Sequence, residues 1–269
     1  MRPLEALGAE QARALRGVVL DLDGTLLTDG RLTSDAYQAL GALGASGLRL
    51  VVCTGRPAGW GEVLLPQWPV DLWVAENGAV GLYEGPDGPR AIDRLDPDAR
   101  RARRERLAAI AQEIEGRFPQ VQRAGDCALR RTDVAFDVGE RRRLPAAEIE
   151  LVRAAAAELG ARTFTSSVHL DVTLDLDDKA TGTLHALWEA WHEDPTAART
   201  RYAYVGDSAN DAACFAAFRT SFGVATVREH TGALSVPPAF VSPSAAGRGF
   251  AEIADRLVAL RWRAERGPS

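Results

Sequence analysis

The chain has 269 residues, 46% of them apolar and 26% charged, with a net charge of −5. That length and balance suit a globular protein with a sizeable core and exclude a disordered chain. The acidic balance argues against nucleic acid as the main partner, because a polyanion is bound by a basic surface.

Cys53, Cys127 and Cys214 stand far apart with no CxxC spacing, and the four histidines show no ligand spacing, so neither a disulfide scaffold nor a zinc site is expected. The opening stretch MRPLEALGAEQARALR carries charges throughout and lacks the apolar core of a signal peptide. No apolar run approaches the roughly 18 residues of a membrane span. The expectation is a cytoplasmic protein with no membrane partner.

The first elements read as a βαβ succession. GVVLDL (17–22) is a continuous apolar run, as in a strand buried on both faces. Residues 34–46 carry helical spacing and stop at Gly47, a C-cap residue. LRLVVC (48–53) and DLWVA (71–75) are the next strands. Strands alternating with crossover helices predict a parallel sheet in a doubly wound, Rossmann-like α/β fold.

The pattern then changes. EGPDGP (84–89) is rich in Gly and Pro, and DARRARRERLAAIAQEIEG (98–116) is a basic helix. Its arginines are expected to form a solvated face or, alternatively, to add positive potential over a site for an anionic substrate. DCALRRTDVAFDVGE (126–140) reads as two short strands around a turn, residues 145–161 as a helix, and RTFTSSVHLDVTL (162–174) as one or two strands. This predicts a separate α+β lobe inserted into the first domain, with a core at 1–82 and 173–269 and a cap at 83–172. The parallel grammar then returns with YAYVG (202–206), a helix over 210–218, SFGVA (221–225), AFV (239–241) as the last edge strand, and an amphipathic closing helix over 245–266.

Strands of a parallel sheet finish at one edge, and ligands bind in the crevice beyond it. Asp21, Asp23, Gly24 and Thr25 follow the first strand, Thr54, Gly55 and Arg56 follow the second, and GDSAND (206–211) follows the late strand. Lys179 stands just before a late helix. Oxygen-only ligands with no histidine or thiolate suit a hard cation, and Mg²⁺ is the natural candidate. A hydroxyl, an ammonium and loop N–H groups are what a phosphoryl group needs. One carboxylate can attack phosphorus while a second, two residues on, shuttles the proton.

DLDGTLL, TGR, a lysine opening a late helix and GDSAND resemble, in that order, the four motifs of the haloacid dehalogenase superfamily. The insertion between the second and third motifs resembles the cap of its type IIB (Cof-like) phosphatases, and VAENGA (74–79) is similar to a stretch those enzymes carry. The resemblance implies that Asp21 is the nucleophile and Asp23 the general acid/base, which also offers its carbonyl to the metal. It implies that Thr54 and Gly55 hold the phosphoryl group and that Lys179 balances charge on nucleophile and phosphate. Asp207 becomes the second metal carboxylate, Asp211 supports the metal shell or Lys179, and Asn210 contacts phosphate or leaving group. One departure is visible: Ala180 follows the lysine where the family usually has glycine, and Gly182 comes late.

Arg56 and Asn77 are further candidates for phosphate or substrate contact, against surface and tight-turn readings. Arg130, Arg131, Asp137, Glu140 and the stretch TSSVHLD (165–171) are expected as ordinary hairpin and strand residues, or as cap residues that touch substrate. Asp177 and Asp178 are expected as helix N-cap acids, and Trp73 and Trp188 as core. The expected function is a Mg²⁺-dependent phosphatase for a small phosphorylated metabolite, such as a sugar phosphate, acting through an aspartyl phosphate as a monomer or homodimer. A phosphomutase would use the same motifs. A phospho-acceptor signalling domain would share the acids but has no use for Asp23 or a cap.

Overall fold

The structure, a computed structural model, describes residues 1–166 and 168–262. Its large sheet has nine strands, in the spatial order Arg2–Pro3, Phe240–Val241, Thr220–Gly223, Tyr202–Gly206, Gly17–Leu20, Arg49–Cys53, Leu72–Ala75, Val80–Gly85 and Gly88–Ile92. Every pairing from Arg2–Pro3 to Leu72–Ala75 is parallel, as the uninterrupted apolar runs predict. Helices cover both faces of the sheet and bury one apolar layer on each side. The closing helix Ala246–Trp262 packs on helix Ser34–Ala45. Residues 263–266, expected to complete the closing helix, lie outside the described residues.

Two boundaries differ from expectation. Phe240–Val241 is not the edge, because Arg2–Pro3 pairs outside it. EGPDGP, expected at the start of the inserted lobe, is the turn of an antiparallel hairpin that extends the large sheet to Ile92. A tight β-turn and a linker draw on the same Gly and Pro residues, so composition alone does not separate them.

The cap is a four-stranded antiparallel sheet, ordered Arg162–Thr165, His169–Thr173, Asp133–Asp137 and Gln122–Arg123. Helices Pro97–Arg117 and Ala146–Glu158 lie against it. A core of its own, including Leu107, Ile114, Phe136, Val152 and Leu170, holds these layers together. Residues 126–140 form one strand and a 3-10 turn, Cys127–Leu129, rather than two strands. The arginine run is not uniformly solvated. Arg100 binds Asp93 through two nitrogens and Asp175 through a third, and Arg103 joins it on Asp175. This ties the cap helix to both chain segments that leave the core. Trp73 is buried as expected, whereas Trp188 is exposed and meets His192 edge-on.

Helix Lys179–Trp191 begins at an Asp178 N-cap, whose carboxylate accepts from the Thr181 N–H at 2.8 Å. Asp177 instead pairs with Arg94. The late glycine of KATGTL has a packing reason. Gly182 lies backbone to backbone on Gly78, which adopts φ +105°, and a Cβ on Gly182 would overlap the Gly78 carbonyl oxygen. Gly182→Ala is expected to cost about 1–3 kcal/mol through overpacking, seen as a fall of roughly 2–10 °C in the thermal midpoint. An unchanged midpoint would mean that the helix can retreat from Gly78 freely.

Candidate active site

The strand ends converge as the topology requires. Asp21 leaves Gly17–Leu20 with its N–H on the Val205 carbonyl at 2.9 Å, so the neighbouring strand Tyr202–Gly206 fixes its backbone. Lys179 stands at the first turn of its helix and sends Nζ to Asp21 Oδ1 at 2.7 Å and to Asp211 Oδ1 at 2.8 Å. All three side chains are buried. Lys179 thus reaches both acids although Ala180 follows it.

Asp211 is saturated. Besides Lys179, its Oδ1 accepts from the Tyr204 hydroxyl at 2.6 Å, and its Oδ2 accepts from the N–H groups of Asp207 at 2.9 Å and Ser208 at 3.2 Å. Four donors on two oxygens make Asp211 the group that orients Lys179 and the 207–208 loop. Among the described residues, Asp207 accepts only from the Thr25 hydroxyl, at 3.3 Å. Gly24, at φ +78°, passes directly beneath it, and a Cβ there would fall 2.5 Å from Asp207 Oδ2.

Burial, with Asp211 and Asp207 adding to it, pushes the Asp21 carboxyl well above the ordinary range, while Lys179 pulls the other way. Burial, then Asp211, raises Asp207 to about 7, against the pull of Lys179 and Thr25. For Lys179, burial favours the neutral amine, but Asp21 and Asp211 outweigh it and hold the ammonium charged. The carboxylates thus outnumber the one cation among them. One oxygen from each of Asp21, Asp207 and Asp211 lies within 4.8 Å of the others. An all-oxygen donor set with excess negative charge and an under-bonded Asp207 fits a hard divalent cation such as Mg²⁺.

Asp23 is gripped bidentately by Arg56, at 2.8 and 2.9 Å. Arg56 is itself buried, lies over the Trp60 ring and reaches Glu140 at 3.1 Å and Asp126 at 3.6 Å on the cap. Thr54 is buried with its hydroxyl accepting from the Arg56 N–H at 3.1 Å. A small cavity of about 30 Å³ joins these groups, lined on the core side by Asp21, Asp23, Thr54, Gly55, Arg56, Asp207, Ser208 and Asn210, and on the cap side by Ser166, Val168, His169 and Asp171. Ser167, within the TSSVHLD stretch, lies outside the described residues.

The turn after strand Leu72–Ala75 carries Glu76, Asn77 and Gly78 at φ 51°, 56° and 105°. A glutamate held in the left-handed region is strained, and strain of this kind collects where function needs it. Glu76 accepts from the N–H of Ala58 in the core and of Arg131 and Thr132 in the cap, and from the Thr132 hydroxyl. Asn77 directs its Nδ2 to Asp171 on the cap at 2.8 Å. Arg130, far from being a surface hairpin residue, is buried, binds Asp133 and reaches the Gly55 carbonyl at 3.1 Å. Asp137 turns inward to cap its own hairpin, accepting from the N–H groups of Gly139, Glu140 and Arg141. Tyr204 and Glu76 were not legible as site residues. The available signals were the strand alternation that puts Tyr202 and Tyr204 on the same face and, for Glu76, its place within VAENGA (74–79).

Residues 18–87 match the model of a haloacid dehalogenase-like hydrolase family. The Bacillus subtilis (strain 168) protein named "Putative phosphatase YxeH" is 38% identical over 68 residues, which is 23% of this chain and 25% of that protein. The aligned segment thus spans about a quarter of that relative. A Thermoplasma acidophilum protein, 0175, matches in structure with a TM-score of 0.70 at 18% identity, covering 91% of this chain and 99% of its own. The sucrose-phosphatase of Synechocystis sp. PCC6803, solved with sucrose and phosphate, matches with a TM-score of 0.62 at 17% identity, covering 90% of this chain and 98% of its own. These likenesses extend across core and cap together and establish the fold. No helix among the described residues is long and apolar enough to cross a membrane.

Proposed function

We propose that this chain, whose residues 18–87 match a haloacid dehalogenase-like hydrolase family, is a Mg²⁺-dependent phosphatase acting in the cytoplasm on a small sugar or polyol phosphate. The observation that carries this reading is Lys179, bridging Asp21 and Asp211 at the sheet edge with Asp207 beside them. The sucrose-phosphatase likeness supports the substrate class by analogy only.

Asp21 is the nucleophile. Lys179 holds one of its oxygens and leaves the other to attack phosphorus, forming an aspartyl phosphate. The Lys179 ammonium, the Thr54 hydroxyl and the Gly55 N–H neutralise the phosphoryl oxygens. Mg²⁺, held by Asp21, Asp207 and the Asp23 carbonyl, would supply the positive charge that keeps the two carboxylates ionised at neutral pH. Asp23 protonates the leaving oxygen and then takes a proton from the water that hydrolyses the intermediate. Both Asp23 oxygens already accept from Arg56, and Arg56 also holds Glu140 and Asp126 on the cap. Motion of the cap therefore reaches the acid through one guanidinium. A cavity of about 30 Å³ is too small to admit a sugar phosphate, so the cap opens for entry and closes to exclude water.

A phosphate-release screen across sugar phosphates, nucleotides and phosphorylated cofactors, with and without Mg²⁺, tests the reading. Release from sugar or polyol phosphates only with the ion is expected. No release from any of them would end it, and an isomerised sugar phosphate without free phosphate would mean a mutase.

A further inference from the structure

Resting on the phosphatase reading, we propose that Asp171 selects the leaving group, its Oδ1 accepting a hydrogen bond from a hydroxyl or ammonium on the alcohol half of the substrate. The cap strand His169–Thr173 alternates its side chains, so His169 and Asp171 share a face, and both line the cavity that holds Asp21 and Thr54. Asp171 is 3% exposed. Its Oδ2 accepts from Asn77, but its Oδ1 has no hydrogen-bond partner among the described residues.

The nearby cation does not fill that role. Arg130 Nη1 lies 3.4 Å from Asp171 Oδ1, outside its hydrogen bonds, and is engaged by both oxygens of Asp133 and by the Gly55 carbonyl. Buried polar atoms are normally paired, and an unpartnered oxygen on a residue that lines the cavity is a place for a ligand donor once the cap opens. Gly55 places the orphan relative to the chemistry. A Cβ on Gly55 would sit 3.2 Å from Asp171 Oδ2, so Asp171 packs on the loop assigned to hold the phosphoryl group. The donor it reads is therefore close to the ester oxygen. A carboxylate at this place accepts donors and repels a second anionic group, such as a carboxylate or another phosphate.

The test compares phosphate release from three substrates of similar length: glycerol 1-phosphate, 2-aminoethyl phosphate and propyl phosphate. The wild-type protein is expected to prefer at least one of the first two over propyl phosphate by at least about tenfold in kcat/KM, because a site built to pair with a donor rejects an analogue lacking it. Preference for glycerol phosphate identifies a hydroxyl, and preference for the amine an ammonium. In Asp171→Asn, Asn77 keeps the new amide oxygen and turns its NH₂ to the cavity, so an acceptor becomes a donor and the preference shrinks to within about threefold. Equal rates on all three substrates in the wild type overturn the proposal without any need for the variant. So does a variant that slows every substrate alike while keeping the preference, since that is the behaviour of a merely structural residue. If p-nitrophenyl phosphate also fails to react with Mg²⁺ present, the phosphatase reading falls and this inference with it.

Discussion

Asp21→Asn is expected to stop turnover and leave the fold standing. An amide cannot attack phosphorus, and loss of the nucleophile removes the route by which the other groups act, so kcat should fall by at least about four orders of magnitude. Stability should move in the opposite sense or not at all. The Asp21 carboxylate is buried against Asp207 and Asp211, and only Lys179 offsets that repulsion. Removing its charge relieves the excess of acids, while Lys179 keeps its partner Asp211 at 2.8 Å. No buried cation is orphaned, so the large penalty for breaking a buried ion pair does not arise. Phosphate release and thermal unfolding, measured on the same preparation, read the two effects separately. Wild-type hydrolysis of an aryl phosphate would remove Asp21 from its role. A collapsed midpoint with activity lost would mean that the Asp21–Lys179 bond is structural first. The opposite signs expected here are those of a site that keeps like charges together for chemistry at the expense of stability.

The residues that the sequence placed best are those whose position follows from topology alone. A parallel sheet sends every strand end to one edge, so Asp21, Thr54 and Asp207 needed only correct strands to be grouped. Lys179 needed its helix start as well, and the N-cap Asp178 marks it. What stayed hidden depends on contacts between segments far apart in the chain. Arg56 reads as a candidate phosphate contact or a surface arginine, and its grip on Asp23 and Glu140, 33 and 84 residues away, shows only in the packed chain. Glu76 reads as part of a turn, and nothing local says that its carboxylate will collect N–H groups from Arg131 and Thr132 of the cap. Asp171 looks like one polar residue in a half-apolar strand. Its meaning lies in an oxygen with no partner, which only the packed structure can exhibit. The hairpin around EGPDGP was misplaced for a different reason: turn chemistry is the same inside a sheet and between domains, and the pairing partners decide.

The response to Mg²⁺ should depend on pH, with a sign that Asp207 sets. In the metal-free protein, burial and the neighbouring Asp211 raise this carboxyl to about 7, whereas in the unfolded chain it titrates near 3.9, roughly the ordinary aspartate value. Between those values the folded state binds a proton that the unfolded state has released. Stability therefore falls as pH rises: the contribution is fully present below the unfolded pKa and is lost as pH climbs through the folded one. The raised carboxyl of Asp21 acts in the same direction. Mg²⁺ binds the ionised forms, so at pH 5 it must displace protons, while at pH 8 it meets carboxylates already charged and mutually repelling. A midpoint measured with chelator should decline from pH 5 to pH 8. Addition of Mg²⁺ should raise it by more at pH 8 than at pH 5, and chelation should abolish phosphate release at both. Asp207→Asn removes the acid whose proton competes with the ion, so both the decline and the Mg²⁺-induced rise should shrink. A flat profile in the chelated wild type, or an equal Mg²⁺ effect at the two pH values, would show that Asp207 is not the group that exchanges a proton for the metal.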